Sequence, residues 1–225
     1  AAGVGIPKDA AEAVRYFQLA ADQGHASAQH SLGLMYDAGE GVVQDDTEAA
    51  RWFRLAADQG HASAQGCLGA GYARGEGVAQ NDPEAVRWLQ LAADQGEAVP
   101  QHDLGEMYAD GRGGLPQDDV TACMWYTLAC AREPELISSE EASGVRKNLE
   151  QRMTHPQVTE AQRLAREWEA EGPLVVEAAP RPEEFGTTQK KVTKLKDLNQ
   201  VSSNLIAVLS TFTLISLVRS FISGG

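Results

Sequence analysis

The stretch LAADQGHASAQ stands at residues 19–29, stands again unchanged at 55–65, and returns as LAADQGEAVPQ at 91–101. A chain that matches itself at a shift of 36 residues is constrained more by that period than by any single motif in it. Residues 28–63 align with 64–99 along their whole length, and the next unit, 100–136, is longer by one residue at Gly113–Gly114. Residues 1–27 enter the same frame late, with Gly3 and Gly5 answering Gly39 and Gly41. Periods of 20 to 50 residues belong to stacked arrays, because one such unit is too small to bury its own apolar face and needs a neighbour on each side.

Within a unit the spacing is helical. Ala49, Trp52, Phe53 and Ala56 follow i, i+3, i+4, i+7, the stripe of an amphipathic helix. Leu32 and Tyr36, four apart, mark a second helix. Asp82 is placed to cap the helix that Pro83 opens, and Gly24, Gly60 and Gly96 suit the left-handed residue that ends one. Each unit therefore reads as helix A, a glycine-bearing loop, helix B and a tight turn. Gly33, Gly69 and Gly105 sit inside helix A, where Gly costs about 0.5 to 1 kcal/mol against Ala, so their recurrence predicts a close helix neighbour, with Ala20, Ala56 and Ala92 as the expected answering residues. The pairs Tyr16–Phe17, Trp52–Phe53, Trp88–Leu89 and Trp125–Tyr126 are expected to fill the space between helices and units.

The pattern AQHSLGLMYDAGEGVVQDDTEAARWFRLAADQG resembles a Sel1-like repeat of the bacterial type, a helix-turn-helix relative of the tetratricopeptide repeat. The resemblance covers residues 1–136, the first unit being partial, and residues 137–172 are similar to the helices that close such arrays. It implies an all-α fold, a right-handed α-solenoid, serving as a non-enzymatic scaffold or adaptor for proteins. It supplies no shared catalytic residues. Some bacterial members are linked to β-lactam binding and carry paired cysteines, a regular pairing that this chain lacks, so a small-molecule-binding or hydrolytic protein and a plain structural spacer are the competing readings.

Beyond the repeats, Ser138 with Glu141 makes a capping-box pattern, and Val145, Leu149 and Met153, then Val158, Ala161, Leu164, Ala165 and Trp168, give apolar stripes for two capping helices. Prolines mark a linker at 173–186. In 187–225, Lys190, Lys191, Lys194 and Lys196 precede the uncharged run Val201–Val218, expected to be a separate apolar helix. That run lies near the lower limit of the roughly 17 to 25 residues that span a bilayer, and the preceding lysines favour cytoplasmic repeats with a C-terminal membrane anchor. A helix docked on the array is the other reading. The chain opens without Met, inside a loop, and reads as a fragment whose missing leader carries no information.

Chemistry is sparse. The net charge of −13 argues against nucleic acid, which needs a basic surface. His25 and His61 occupy equivalent places about 10 Å apart in a helical stack. His30 and His102 are farther apart, so no shared metal ion or other cofactor is expected. Cys123 and Cys130 fall on one helix, too far along it for a disulfide. Cys67 reads as a buried small hydrophobe with no histidine to activate it, and three unpaired cysteines suit a reducing compartment. The G-x-G loops follow a helix and lack a third glycine, which excludes a dinucleotide site. No catalytic residue is assigned. If the array binds a protein or peptide in its concave groove, the contacts should come from the helix A positions that vary between units: His30, Gly66 and His102; Leu34, Ala70 and Glu106; Met35 and Met107.

Overall fold

A computed structural model describes residues 10–133 and 141–172. Among them nine helices follow one another with no strand. Four are helix B, namely α1 (Ala10–Ala21), α3 (Asp46–Ala57), α5 (Asp82–Asp94) and α7 (Asp119–Arg132). Three are helix A, namely α2 (Ala26–Ala38), α4 (Ala62–Arg74) and α6 (Ala98–Asp110), and α8 (Glu141–Arg152) and α9 (His155–Glu171) follow the last unit. From α1 to α8 each helix packs on its chain neighbour, α4 also meets α6, and α9 packs on α7 rather than on α8. This is the helix-turn-helix solenoid that the 36-residue period predicts.

The turns repeat with the sequence. Gly24, Gly60 and Gly96 all have φ near +90°. Their N–H groups bond back to Ala21, Ala57 and Ala93, and those of the next residues to Ala20, Ala56 and Ala92, the double closure that ends a helix at a left-handed residue. Helix B starts on a side-chain cap: Asp45 accepts from the Thr47 and Glu48 amides, and Asp118 from Val120 and Thr121. In α5 the cap is Asn81, which accepts from the Glu84 amide, with Asp82 already inside the helix; the expected cap is thus corrected by one residue. In the loops, the second glycine of each G-x-G turns its bare face to the start of the preceding helix B, Gly41 to Ala10, Gly77 to Asp46 and Gly113 to Asp82 and Val86. Gly114 has open space around it and absorbs the extra residue of the last unit.

The mid-helix glycines do mark close approaches, but not to alanine. A Cβ on Gly33 would stand 2.6 Å from the Phe53 ring, one on Gly69 2.8 Å from Leu89, and one on Gly105 3.1 Å from Tyr126. The second member of each aromatic or leucine pair is a knob seated over the glycine, because a full ring fills the gap between two helix axes better than a methyl can. Trp52, Phe53, Trp88, Leu89, Trp125 and Tyr126 are accordingly buried, whereas Tyr16 and Phe17 are 57% and 37% exposed because no described helix packs on the outer side of α1.

A buried glutamine ladder ties the units. The Gln29, Gln65 and Gln101 amides each donate to the last turn of the preceding helix B, at Ala21, Ala57 and Ala93, over 3.1 Å. The Gln29 and Gln65 oxygens accept from Gln59 and Gln95 in the next turn of the array, at 2.6 and 2.7 Å. At the last unit the frame places Arg132 where the donor stood; its guanidinium lies over the Trp168 ring of α9, and the buried Gln101 Oε1 has no hydrogen-bond partner among the described residues. The closing helices meet the repeats through Trp125 against Trp168, ring centroids 6.1 Å apart, and through Arg152 to Asp119 at 2.8 Å. The Leu149 and Met153 stripe and the Ala161, Leu164, Ala165 and Trp168 stripe are buried. Ser138, the linker 173–186 and the whole segment 187–225, including the run Val201–Val218, lie outside the described residues. Among the described residues no helix is long and apolar enough to cross a membrane.

Candidate functional site

A groove of about 390 Å3 runs along α4. Its floor is Gly66, Ala70 and Gly71 of α4, backed by Ala49, Ala50 and Phe53 of α3; Val99 and Pro100 of α6 form one wall, and Asp37 comes from the end of α2. The sequence shows why the space is there. At the three varying positions of helix A, the neighbouring units carry His30 and His102, Leu34 and Glu106, Met35 and Met107, while the middle unit carries only Gly66, Ala70 and Gly71. The wall arises where the repeated HASAQ changes to EAVPQ, so that Glu97, Val99 and Pro100 replace His61, Ser63 and Ala64 of the previous unit. Both departures from the repeat converge on one cleft.

The rim is acidic. Asp37, Asp46, Glu76, Glu97 and Asp103 line it, against one cation, Arg74, which is already paired with Glu76 at 2.6 Å. Cys67 lies in the floor with its Sγ 4.0 Å from His30 Nε2, and the His30 ring stacks on His61 with centroids 4.7 Å apart. The expectation that no histidine stands near Cys67 is therefore corrected. Comparing only equivalent positions in the repeat hides these contacts, in which His30 of α2 meets His61, the residue before α4, and Cys67 within α4. Burial pushes the Cys67 thiol up to about 11, Asp37 and Glu97 push the same way, and Arg74 opposes them. Burial, and then His61, pull the His30 imidazole down to about 4. Both groups are thus held neutral at pH 7, the reverse of the thiolate–imidazolium pair that nucleophilic cysteine chemistry uses.

The remaining varying positions divide. Leu34 is 43% exposed, Glu106 is exposed, and His30 and His102 are partly covered. Met35 and Met107 are buried, which removes them from any contact face. The equivalent Gly71 shows the cause: a Cβ there points at the Glu76 carbonyl, 3.1 Å away, so this position faces the unit's own loop. His102, Asp103 and Glu106 hold three donor atoms within 4.8 Å of one another on α6. All three come from little more than one helical turn, and Asp103 and His102 are 3.5 Å apart in a side-by-side pair. The His102 ring meets Tyr126 edge-on at 5.1 Å, and burial together with Glu106, Asp110 and Asp103 raises the Tyr126 hydroxyl far above its usual value. Cys67, Cys123 and Cys130 are all free, the last two on α7 as expected.

The residues that sequence reasoning overlooked are those of the groove's wall and rim: Asp37, Glu97, Val99, Pro100 and Asp103. For three of them a signal existed, the break from HASAQ to EAVPQ.

Comparison with known proteins gives a consistent result. The family model described as Sel1 repeat matches residues 1–25, 26–61, 63–97 and 101–133, more than half of the chain. A Sel1 repeat protein from Oxalobacter formigenes, known as a crystal structure, is 35% identical with a TM-score of 0.53, over 58% of this chain and 53% of its own. The structure of c5321, a protective antigen present in uropathogenic Escherichia coli strains and displaying an SLR fold, is 26% identical with a TM-score of 0.53, over 84% of this chain and 45% of its own. The chain thus spans about half the length of these two proteins. No curated protein matches it. Sel1-like repeats are generally non-catalytic scaffolds for protein–protein interaction, and this chain belongs to the Sel1 repeat family.

Proposed function

We propose that the protein is a non-enzymatic scaffold that binds a peptide or protein partner along the helix A side of its array, in the groove over α4. The observation that carries this reading is the coincidence of the repeat's departures with the groove: the small residues Gly66, Ala70 and Gly71 line its floor, and Glu97, Val99 and Pro100 wall it. Structural positions of the array repeat because stacking requires them to; a place where they depart together, in the middle of the array, is under a different demand. An enzyme of the thiol type is disfavoured by the neutral Cys67 and His30. A pure spacer would need no such cleft. Tethering at a membrane through Val201–Val218 is a separate part of the proposal and rests on the sequence.

The test uses a photo-crosslinking residue at Val99, which is 48% exposed on the groove wall, and at Leu55, which is 39% exposed and outside the groove. The Val99 position should yield a defined protein adduct that disappears when Ala70→Leu fills the floor, and Leu55 should not yield it. Leu already occupies the same frame at residue 34, so the helix tolerates the change. Adducts indifferent to Ala70→Leu, with circular dichroism unchanged, would return the protein to the spacer reading.

A further inference from the structure

The groove also indicates the chemistry of its occupant. We propose that it takes a cationic segment of a partner protein, one that seats a small aliphatic side chain on the floor at Ala70 and sets Lys or Arg residues against the rim. This rests on the groove reading above and adds the partner's charge and shape to it.

Charge complementarity carries the argument. Once Arg74 and Glu76 cancel each other, Asp37, Asp46, Glu97 and Asp103 remain around the cleft with no lining Lys or Arg to answer them. They come from three elements, the end of α2 (Asp37), the start of α3 (Asp46) and α6, where Glu97 is the residue that precedes the helix and Asp103 lies within it, so the fold rather than a local run of acids brings them together. Their field reaches the floor, because Asp37 and Glu97 both disfavour ionisation of Cys67 there. An anionic segment would be repelled from such a rim, and an uncharged one would leave it unanswered; opposite charge steers encounter and fixes register. The floor, in contrast, is apolar and narrow. Pro100 already covers Gly66, where an added Cβ would be 2.8 Å from its ring, so the free floor is a strip along Ala70 that suits a small aliphatic side chain better than an aromatic ring. The thirteen residues of α4 span about 20 Å, the reach of roughly six residues of extended chain.

The experiment is fluorescence anisotropy with the full chain and three labelled hexapeptides sharing a central Val-Leu and flanked by Lys, Gln or Glu on both sides. The Lys peptide should bind at least tenfold more tightly than the Gln peptide, with the Glu peptide not binding, and the difference should shrink as salt rises to 0.5 M. Ala70→Leu should abolish binding. Asp37→Asn with Asp103→Asn should weaken it about tenfold, whereas Asp58→Asn with Glu133→Gln, an equal loss of charge away from the groove, should change it less than twofold. Equal, Ala70→Leu-sensitive binding of all three peptides would overturn the cationic occupant and leave the groove reading standing. Lys-peptide binding that Ala70→Leu leaves intact, or that both acid pairs weaken equally, would overturn it as well, by showing attraction to the net charge alone. No binding by any of the three would remove both readings.

Discussion

At the scale of single residues, His30 is the group most out of its ordinary state. Its ring lies between Phe53, 5.9 Å away, and the stacked His61, with the Cys67 sulfur at its edge. With a folded value of about 4 against 6.5 unfolded, the unfolded chain binds a proton that the folded chain refuses. Stability due to this site is therefore fully present above pH 6.5 and is lost as pH falls towards 4. Allowing for the partial exposure of the ring, the loss should be about 1 to 2 kcal/mol. Urea midpoints measured at pH 7.5 and 4.5 check it: His30→Gln should lower the midpoint at pH 7.5 through lost packing, yet show a smaller drop between the two pH values than the wild type. Equal drops would assign the acid sensitivity to other groups. This cluster was not legible in the sequence, since a repeat invites comparison of equivalent positions and His30 meets His61 across non-equivalent ones.

Among elements, the contact that decides helix pairing is a side chain seated over a glycine. Gly69 and Gly144 make a natural comparison, both within helices. A Cβ on Gly69 would press on Leu89, at 2.8 Å from its Cγ and 3.0 Å from its backbone nitrogen, whereas Gly144 in α8 has nothing within 4 Å. Gly69→Ala should destabilise the chain by about 1 to 3 kcal/mol in spite of better helix propensity, and Gly144→Ala should stabilise it by about 0.5 to 1 kcal/mol. Chemical denaturation of the two variants reads both signs. The sequence made the close approach legible but not its partner, because small residues suggest small neighbours, and the solution here is a ring or leucine dropped into the gap. Similarly, the varying set on helix A was legible, but Met35 and Met107 belong to the core, since a one-residue step on a helix turns a side chain by about 100° and here carries it under the loop.

For the whole molecule, stability is passed between neighbours rather than held in one centre. Each repeat helix packs chiefly on the ones before and after it, and α9 on α7, so an injury at one end should stay at that end. Trp168→Ala removes the aromatic that α9 lays against Trp125 and under Arg132, and should cost about 3 to 5 kcal/mol locally. Hydrogen exchange should then show α7 and α9 losing protection while α3 and α4 keep theirs; a uniform loss would mean that the array unfolds as one body. The period of 36 made the architecture legible from the outset, and the stripes in α8 and α9 made the closing helices so. What the period could not show is the groove, since it lies where the units stop being alike.

The glutamine ladder gives the array a direction and a unit of length. Each rung is tied to the helix before it and takes a donor from the turn after it, so a whole unit can be inserted or removed and the rungs on either side still find their partners. A change that shifts the helical frame would instead strand a buried carbonyl. The extra Gly114 is harmless because it lies in a loop outside the ladder, and the ladder's own stranded oxygen, on Gln101, sits where Arg132 has been given over to the closing helix. Lengths in such a chain are thus quantised by hydrogen bonding, and Arg132 is its full stop.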